Sequence, residues 1–394
     1  MDVFDKSRKF EQLLRLVQSQ NRFFYSRPIL PAAAPVARCG DRELVNLGSN
    51  NYLGMTEHPE VRAAAIAAIE QYGTGSAGSR LLTGTTPLHL EMERSLAEFK
   101  GVEAVVSFST GFMTLAATVK TIAAEGEFVF SDSLNHASII NGCRASKAKT
   151  VVYSHNDMSD LAEKLAGVPA EAGKLIVTDG VFSMEGDICC LPELRKLADE
   201  HSARLMVDDA HATGVLGKTG RGTAEHFDLE GKVDIVSGTF SKSFGSVGGF
   251  TGAPLPVAEF LRYNARESIF SASLPPSAVA TVNAALSVLK RDPSLVRKLR
   301  SNTEFIYERL VQDGFKVAHH GTPILPIAIG SDDKAYQAAG RLEEEGVFAN
   351  PVVFPAVPMG KAIIRISLMA SHTEEQLSRA ASAFTRVGKE VGII

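Results

Sequence analysis

RLMVDDAHATGVLG, residues 204–217, is an apolar run that ends on two aspartates and opens into a turn carrying a histidine. The same pattern recurs on both sides of it: AVVSF (104–108), EFVFSD (127–132), TVVYS (150–154), KLIVTDG (174–180), VDIVSG (233–238) and GGFTGA (248–253). Segments of helical length separate several of these runs, at 111–124, 136–147, 157–166 and 192–202. Short apolar strands alternating with helices predict an α/β fold, a mainly parallel seven-stranded sheet with helices on both faces. In such sheets ligands bind beyond the carboxyl ends of the strands, and here polar residues gather at those ends. The candidates are Ser109-Thr110, Asp132, Asp179-Gly180, Asp208-Asp209 and Ser237-Gly238-Thr239.

Around this core the chain extends to 394 residues. Residues 1–50 read as an N-terminal arm with a helix, 51–275 as the large α/β domain and 276–394 as a smaller α+β domain. The last of these is predicted to hold a long helix at 277–313, strands around PILPIAIG (323–330) and AIIRISLM (362–369), a helix at 333–345 and a final helix after His372. Thr373 and Gln376 have the spacing of a capping box for that helix. Hydrophobic residues at 45% and charged residues at 22% place the chain among ordinary globular proteins rather than disordered ones. Lys plus Arg (41) against Asp plus Glu (45) leaves a formal charge of -4, too little positive field for a nucleic-acid partner. Four cysteines in so long a chain form no disulfide framework, and no apolar run approaches the ~20 residues of a spanning helix, so a cytoplasmic protein is expected. Phe4, Leu13, Leu14 and Val17 share one face of the N-terminal helix, which is expected to pack on its own protein, with peripheral membrane contact as the alternative.

Gly73-Thr-Gly75-Ser-Ala-Gly78 fits G-x-G-x-x-G, but a helix-like segment (58–72) precedes it where a dinucleotide site needs a strand. It reads instead as a loop that lets backbone approach another surface. SGTFSKSFGSVGG (237–249) places Lys242 among hydroxyls and glycines, with no acid between residues 235 and 258. A desolvated, unpaired lysine has the lowered pKa that a Schiff-base amine needs. Asp208, at the end of a buried run, would cost several kcal/mol without a partner. A pyridoxal ring nitrogen is such a partner, and His211 could bond the ring's phenolic oxygen. Metal ligation by Asp208, Asp209 and His211 lacks a second cluster at ligand spacing, so no metal is expected. Thr110-Gly111-Phe112 lies where a strand turns into a helix and suits a phosphate. His136 could stack on a flat ring or simply start a helix. Arg365, on an apolar strand face with Ile363, Ser367 and Met369, calls for a carboxylate or phosphate, or for a buried acid elsewhere in the chain.

These motifs, in this order, resemble the α-oxoamine synthases, pyridoxal-phosphate acyltransferases that condense an amino acid with an acyl thioester. The resemblance runs from LGSNNYLG (47–54) to IRISLMASHT (364–373) and rests on VDDAHATGVLG (207–217), GTFSKSFGSVGG (238–249) and FSASLPP (270–276). Within the family, DGVFSMEGD (179–187), EGVFANPVVFPAVP (345–358) and IRISLMASHT look most like bacterial serine palmitoyltransferases, while aminooxononanoate synthases and glycine acetyltransferases share much of the pattern. The resemblance implies a fold-type-I transferase, a homodimer with the active site at the subunit interface, and pyridoxal 5'-phosphate as cofactor. It makes Lys242 the amine that binds the cofactor, Asp208 the partner of the ring nitrogen, His211 that of the phenolic oxygen and His136 the stacking residue. Ser183 would lie near the ring, and Gly111, Phe112, Thr239 and Ser241 would hold cofactor mainly through its phosphate, with Ser271 reaching it from the second chain. Asn51 would line the substrate pocket and Arg365 bind the amino-acid carboxylate. Ser79 stands where glycine-restricted relatives tend to have threonine, which admits a larger substrate side chain. An arginine that some serine palmitoyltransferases carry near the proline pair is absent from Val352-Val353-Phe354-Pro355, a departure that bears on carboxylate geometry.

The expected reaction is decarboxylative condensation of L-serine with a long-chain acyl thioester, on coenzyme A or acyl carrier protein, giving a 3-keto long-chain base. L-Alanine with a pimeloyl thioester, or glycine with an acetyl one, are the alternatives within the family. An acyl hydrolase using a Ser or Thr beside Lys242, in the manner of a Thr-x-x-Lys site such as Thr239 with Lys242, and a catalytically silent partner subunit, are the readings from other classes.

Overall fold

The computed structural model describes residues 2–19 and 27–394. Seven strands form the central sheet in the order Ala104–Phe108, Gly249–Ala253, Ile235–Thr239, Arg204–Asp208, Lys174–Asp179, Phe128–Asp132, Lys149–Tyr153. All seven coincide with the predicted runs to within about two residues at each end. Gly249–Ala253 is antiparallel to both neighbours, and the other pairings are parallel. Every residue of Lys174–Asp179 and Ile235–Thr239 is buried, as continuous apolar runs covered by helices on both faces must be. The parallel strands all end on one edge, which brings Asp132, Asp179, Asp208 and Thr239 together.

The predicted helices of this region appear as Gly111–Ile122, Ala137–Ala145, Met158–Ala166 and Leu191–Glu200. The long helix expected at 277–313 is instead two, Pro276–Arg291 and Ser294–Gln312. Pro293 has no N–H to continue the ladder, and Asp292, the C-cap of the first helix, accepts a hydrogen bond from Ser294 N, the first amide of the second, at 3.0 Å. Thr373 and Gln376 do form the capping box of the last helix, Glu374–Val391.

Ile324–Gly330 and Ala362–Ser367 pair antiparallel, joined by a third strand, Asn350–Val352, that the sequence reading did not mark because a proline interrupts so short a run. Val36–Cys39 and Arg42–Asn46 form a hairpin whose second strand pairs parallel with Val347–Phe348, stitching the beginning of the chain to this later segment. Asp5–Ser19 is a helix; Phe4, at its start, is 66% exposed and Leu14 is half-buried, while the side chains of Leu13 and Val17 lie outside the described residues. Among the described residues no helix is long and apolar enough to cross a membrane. The Gly73–Gly78 segment follows the helix Pro59–Tyr72 and brings its backbone against a neighbouring loop, Ser273 N donating to Gly78 O at 2.9 Å, as a close-approach loop should.

Candidate active site

A cavity of about 290 Å³ opens at the carboxyl edge of the central sheet. Lys242 lies three residues beyond the strand Ile235–Thr239, in a loop that folds back on itself: Phe240 N bonds Gly248 O, and Ser246 N bonds Phe240 O, both at 2.9 Å. Phe240 stacks on Phe250, with ring centroids 5.7 Å apart, and pins the loop to the core. Gly248 makes the return at φ +113°, a backbone setting that L side chains rarely adopt. Burial lowers the Lys242 pKa to about 8, against the opposing pull of Asp208 and Asp179. The amine is therefore within reach of its neutral, nucleophilic form near physiological pH.

Asp208 is 3% exposed and accepts from Ala210 N at 2.9 Å. Burial raises its pKa to about 6 even though Lys242 pulls the other way. Asp179, at the end of the adjacent strand, is pushed well above the usual carboxylate range by burial and by the charge of Asp208, and it accepts from His136 N at 3.0 Å. Two buried acids beside a single amine leave room for one more cationic N–H, the group that a protonated pyridine ring presents.

His136 starts the helix Ala137–Ala145 and lines the cavity. Its Nδ1 accepts from Ser138 N at 3.3 Å and lies 2.7 Å from Ser138 Oγ, which puts the ring proton on Nε2. Burial, then the nearby Lys242, lowers its pKa and keeps the imidazole neutral. His211 is held the same way: burial depresses its pKa well below the ordinary value, and Nδ1 meets the Tyr52 hydroxyl at 2.7 Å. Tyr52 is fully enclosed, its pKa raised to about 12 by burial.

Opposite these groups the helix Gly111–Ile122 points its N-terminus at the cavity. Thr110 caps it by accepting from Met113 N, which leaves the Gly111 and Phe112 amides at the cavity wall. Thr239 and Ser241 bring their hydroxyls to the same wall, 2.8 Å from each other. A Cβ on Gly111 would sit 2.5 Å from Thr239 Oγ1, so only glycine lets the helix end and the hydroxyl share this space. Amides, hydroxyls and a helix N-terminus are the donor set that a phosphate needs. Thr239 Oγ1 also donates to Gly248 O at 3.0 Å, and no hydrogen bond joins it to Lys242. A Thr-x-x-Lys hydrolase would require that contact.

Arg365 is 7% exposed and lies just behind the cavity wall. Its Nε donates to Ser183 O at 2.6 Å, and its terminal nitrogens reach Ser367 Oγ at 2.8 Å and Asn50 Oδ1 at 3.4 Å. Among the described residues no carboxylate pairs with it, so the alternative of a buried ion pair is set aside and the guanidinium keeps capacity for an anion.

The cavity thus unites Lys242, Asp208, His211, His136, Gly111, Phe112, Ser183, Thr239 and Ser241. Four expected residues fall outside its lining: Arg365, which lies behind the wall, and Asn51, Ser79 and Ser271. Asn51 turns its amide to Ala33 O and Thr56 Oγ1, and Asn50 takes the place beside Arg365, because consecutive side chains of the turn point opposite ways. Ser79 closes a turn, its carbonyl accepting from Leu82 N and Gly84 N. Ser271 lies by Met113 at the outer rim, 3.8 Å from its sulfur. Sequence reasoning had assigned nothing to Tyr52, whose partner is 159 positions away.

The profile of the family described as aminotransferase class I and II matches residues 42–384. A serine palmitoyltransferase of Sphingobacterium spiritivorum is 44% identical over 377 residues, 96% of this chain and 94% of that protein. An 8-amino-7-oxononanoate synthase of Thermoanaerobacter pseudethanolicus is 47% identical over 354 residues, 90% of each. The structure of a serine palmitoyltransferase from S. paucimobilis, solved with a PLP–myriocin adduct, superposes with a TM-score of 0.95 at 35% identity and covers 100% of both chains. The architecture is that of fold-type-I transferases. The chain belongs to the aminotransferase class I and II family, in its α-oxoamine synthase branch.

Proposed function

We propose that the chain condenses L-serine with a long-chain acyl thioester and releases carbon dioxide and free thiol to give a 3-keto long-chain base. It is a pyridoxal-phosphate-dependent acyltransferase, and the α-oxoamine condensation is its reaction class. One observation carries the reading: a desolvated amine and a buried acid pair share one cavity, and a guanidinium with no carboxylate partner among the described residues lies just behind its wall, bonded to the Ser183 carbonyl.

When bound, pyridoxal phosphate supplies a ring that takes up the electron pair left at the substrate's α-carbon on loss of its proton. Lys242 would hold the cofactor, and in its neutral form it is the amine placed to take the substrate's α-proton. Asp208 would keep the ring nitrogen protonated, and His211, oriented by Tyr52, would pair with the phenolic oxygen. His136 and Ser183, both lining the cavity, would flank the ring, with His136 shielding it from water. Gly111, Phe112, Thr239 and Ser241 bind the phosphate. Arg365, aimed by Ser183 O and Asn50, binds the amino-acid carboxylate and fixes which face of the α-carbon Lys242 meets. Phe112 and Val247, both exposed at the cavity mouth, are the apolar surface that a second copy of the chain would cover, bringing its Ser271 toward the phosphate.

Serine with a long acyl chain is favoured by the wider coverage of the serine palmitoyltransferase relative, 96% of this chain against 90% for the oxononanoate synthase. A groove of about 630 Å³, within the ~300–1,000 Å³ of small-molecule sites, has Met184, Ile329, Val357 and Ile363 among its walls, with Glu185, Lys316, His320 and Lys361 beside them. The second reading, alanine with a pimeloyl thioester, is supported by the 47% identity to that synthase. Catalytic silence is disfavoured by the retained, desolvated Lys242.

The test mixes the pyridoxal-phosphate form with L-serine, L-alanine or glycine and follows the visible spectrum, then thiol release from short and long acyl thioesters. Serine with a palmitoyl-length donor should give the fastest release; a preference for alanine with pimeloyl thioester would replace this reading by the second. Arg365→Ala should raise the serine KM ten- to a hundredfold, as the loss of a charge-assisted hydrogen bond of about 1.5–3 kcal/mol does, with a smaller effect on the acyl donor. An unchanged serine KM would refute the carboxylate role.

A further inference from the structure

His155 touches nothing in the cavity, yet it stands between the two chain segments that carry His136 and Ser183. Its Nδ1 lies 3.0 Å from Asp132 Oδ1 and its Nε2 lies 2.8 Å from Asp187 Oδ2. Two carboxylates on opposite nitrogens of one imidazole require protons on both, so the ring is a cation. Burial alone would lower its pKa, but the hydrogen bonds and charges of Asp132 and Asp187 raise it to about 10. The ring also meets the edge of Phe182 with centroids 4.4 Å apart, and its side chain is 24% exposed. Asn156 doubles the link: its backbone N–H donates to Asp132 Oδ2 at 2.9 Å and its amide to Asp187 Oδ2 at 3.0 Å.

Each acid leads into the site. Asp132 ends the strand Phe128–Asp132 and accepts from Leu134 N at 2.8 Å, which shapes the loop that delivers His136. Asp187 closes the turn 181–188, where Phe182 N bonds Asp187 O at 3.0 Å, Gly186 N bonds Phe182 O at 2.9 Å, and Val181 bridges Ile188. That turn presents Ser183 O to Arg365 Nε at 2.6 Å. On the side away from the clasp, Thr322 Oγ1 donates to Gly186 O at 2.6 Å.

We infer that His155 is a positioning residue: its imidazolium clamps the loop behind His136 to the turn behind Ser183, and so sets the aim of Arg365 at the amino-acid carboxylate. The inference rests on the carboxylate role proposed for Arg365. Loss of the clamp should weaken amino-acid binding while the hold on the cofactor through Lys242 and the phosphate-binding residues Gly111, Phe112, Thr239 and Ser241, which lie on other segments, persists.

The test uses the pyridoxal-phosphate form of the full chain with His155→Phe, which keeps the contact with Phe182, and His155→Gln, which keeps polarity but not the double charge. Asp187→Asn loosens only the Ser183 side. Each variant should bind pyridoxal phosphate within about threefold of the parent, while the Kd for L-serine, read from the spectral response, rises tenfold or more. Hydrogen exchange at the Phe182 and Gly186 amides should quicken in both His155 variants. A parent that responds to serine beside variants with the same serine Kd, or cofactor and serine affinities falling together, would overturn the positioning role. A parent that responds to none of L-serine, L-alanine and glycine would overturn the Arg365 assignment itself, and with it the purpose given to the clamp.

Discussion

Lys242 has its ammonium form penalised by burial, so below pH 8 the cofactor-free side chain is protonated and inert, and above it is a free nucleophile. The rate at which the apo chain captures pyridoxal phosphate should therefore climb about tenfold per pH unit up to about 8 and then level. A rate that keeps rising to the ordinary lysine range, measured by stopped-flow absorbance, would show that the amine is not desolvated. Lys242, Asp208, His136 and His211 were legible in the sequence because each follows an apolar strand within a few residues, and strand ends are where such sheets put their chemistry. Tyr52 was not, since its meaning comes from a hydrogen bond to His211 that only the folded topology creates. The exchange of Asn51 for Asn50 has the same origin: which of two adjacent amides turns toward Arg365 depends on a turn that no periodicity encodes. Asp179 was visible as a strand end, but its role as partner of Asp208 follows from strand order, with Asp179 and Asp208 paired in register.

Helix Gly111–Ile122 matters through its first turn. A methyl group at position 111 would collide with Thr239 while hardly disturbing helix propensity, so Gly111→Ala should keep the fold and lose affinity for pyridoxal phosphate by tenfold or more. Equilibrium dialysis alongside circular dichroism checks both halves; an alanine variant that binds cofactor normally would remove this helix end from the phosphate site. The inner parallel strands were read with nearly their final boundaries because buried parallel strands are continuous apolar runs. Elements whose limits rest on one residue were harder. Pro293 divides a segment whose apolar periodicity continues across it, and Asn350–Val352 is too short and too proline-marked to stand out.

Across the whole molecule, a sheet ordered 104–249–235–204–174–128–149 gathers its acids, its lysine and a helix N-terminus on one edge, and the later strand Ala362–Ser367 brings a permanent cation to them. The Ser183 carbonyl that directs Arg365 comes from 182 residues earlier, which explains why the arginine's need for an anion was readable and its aim was not. All of this chemistry depends on a covalent bond between one side chain and the cofactor. The direct measurement is to load the chain with pyridoxal phosphate, trap the linkage with borohydride, digest, and locate the pyridoxyl phosphate label by mass spectrometry. The account requires one label per chain, on Lys242, absent from Lys242→Ala; a label on another lysine, or none at all, would contradict it.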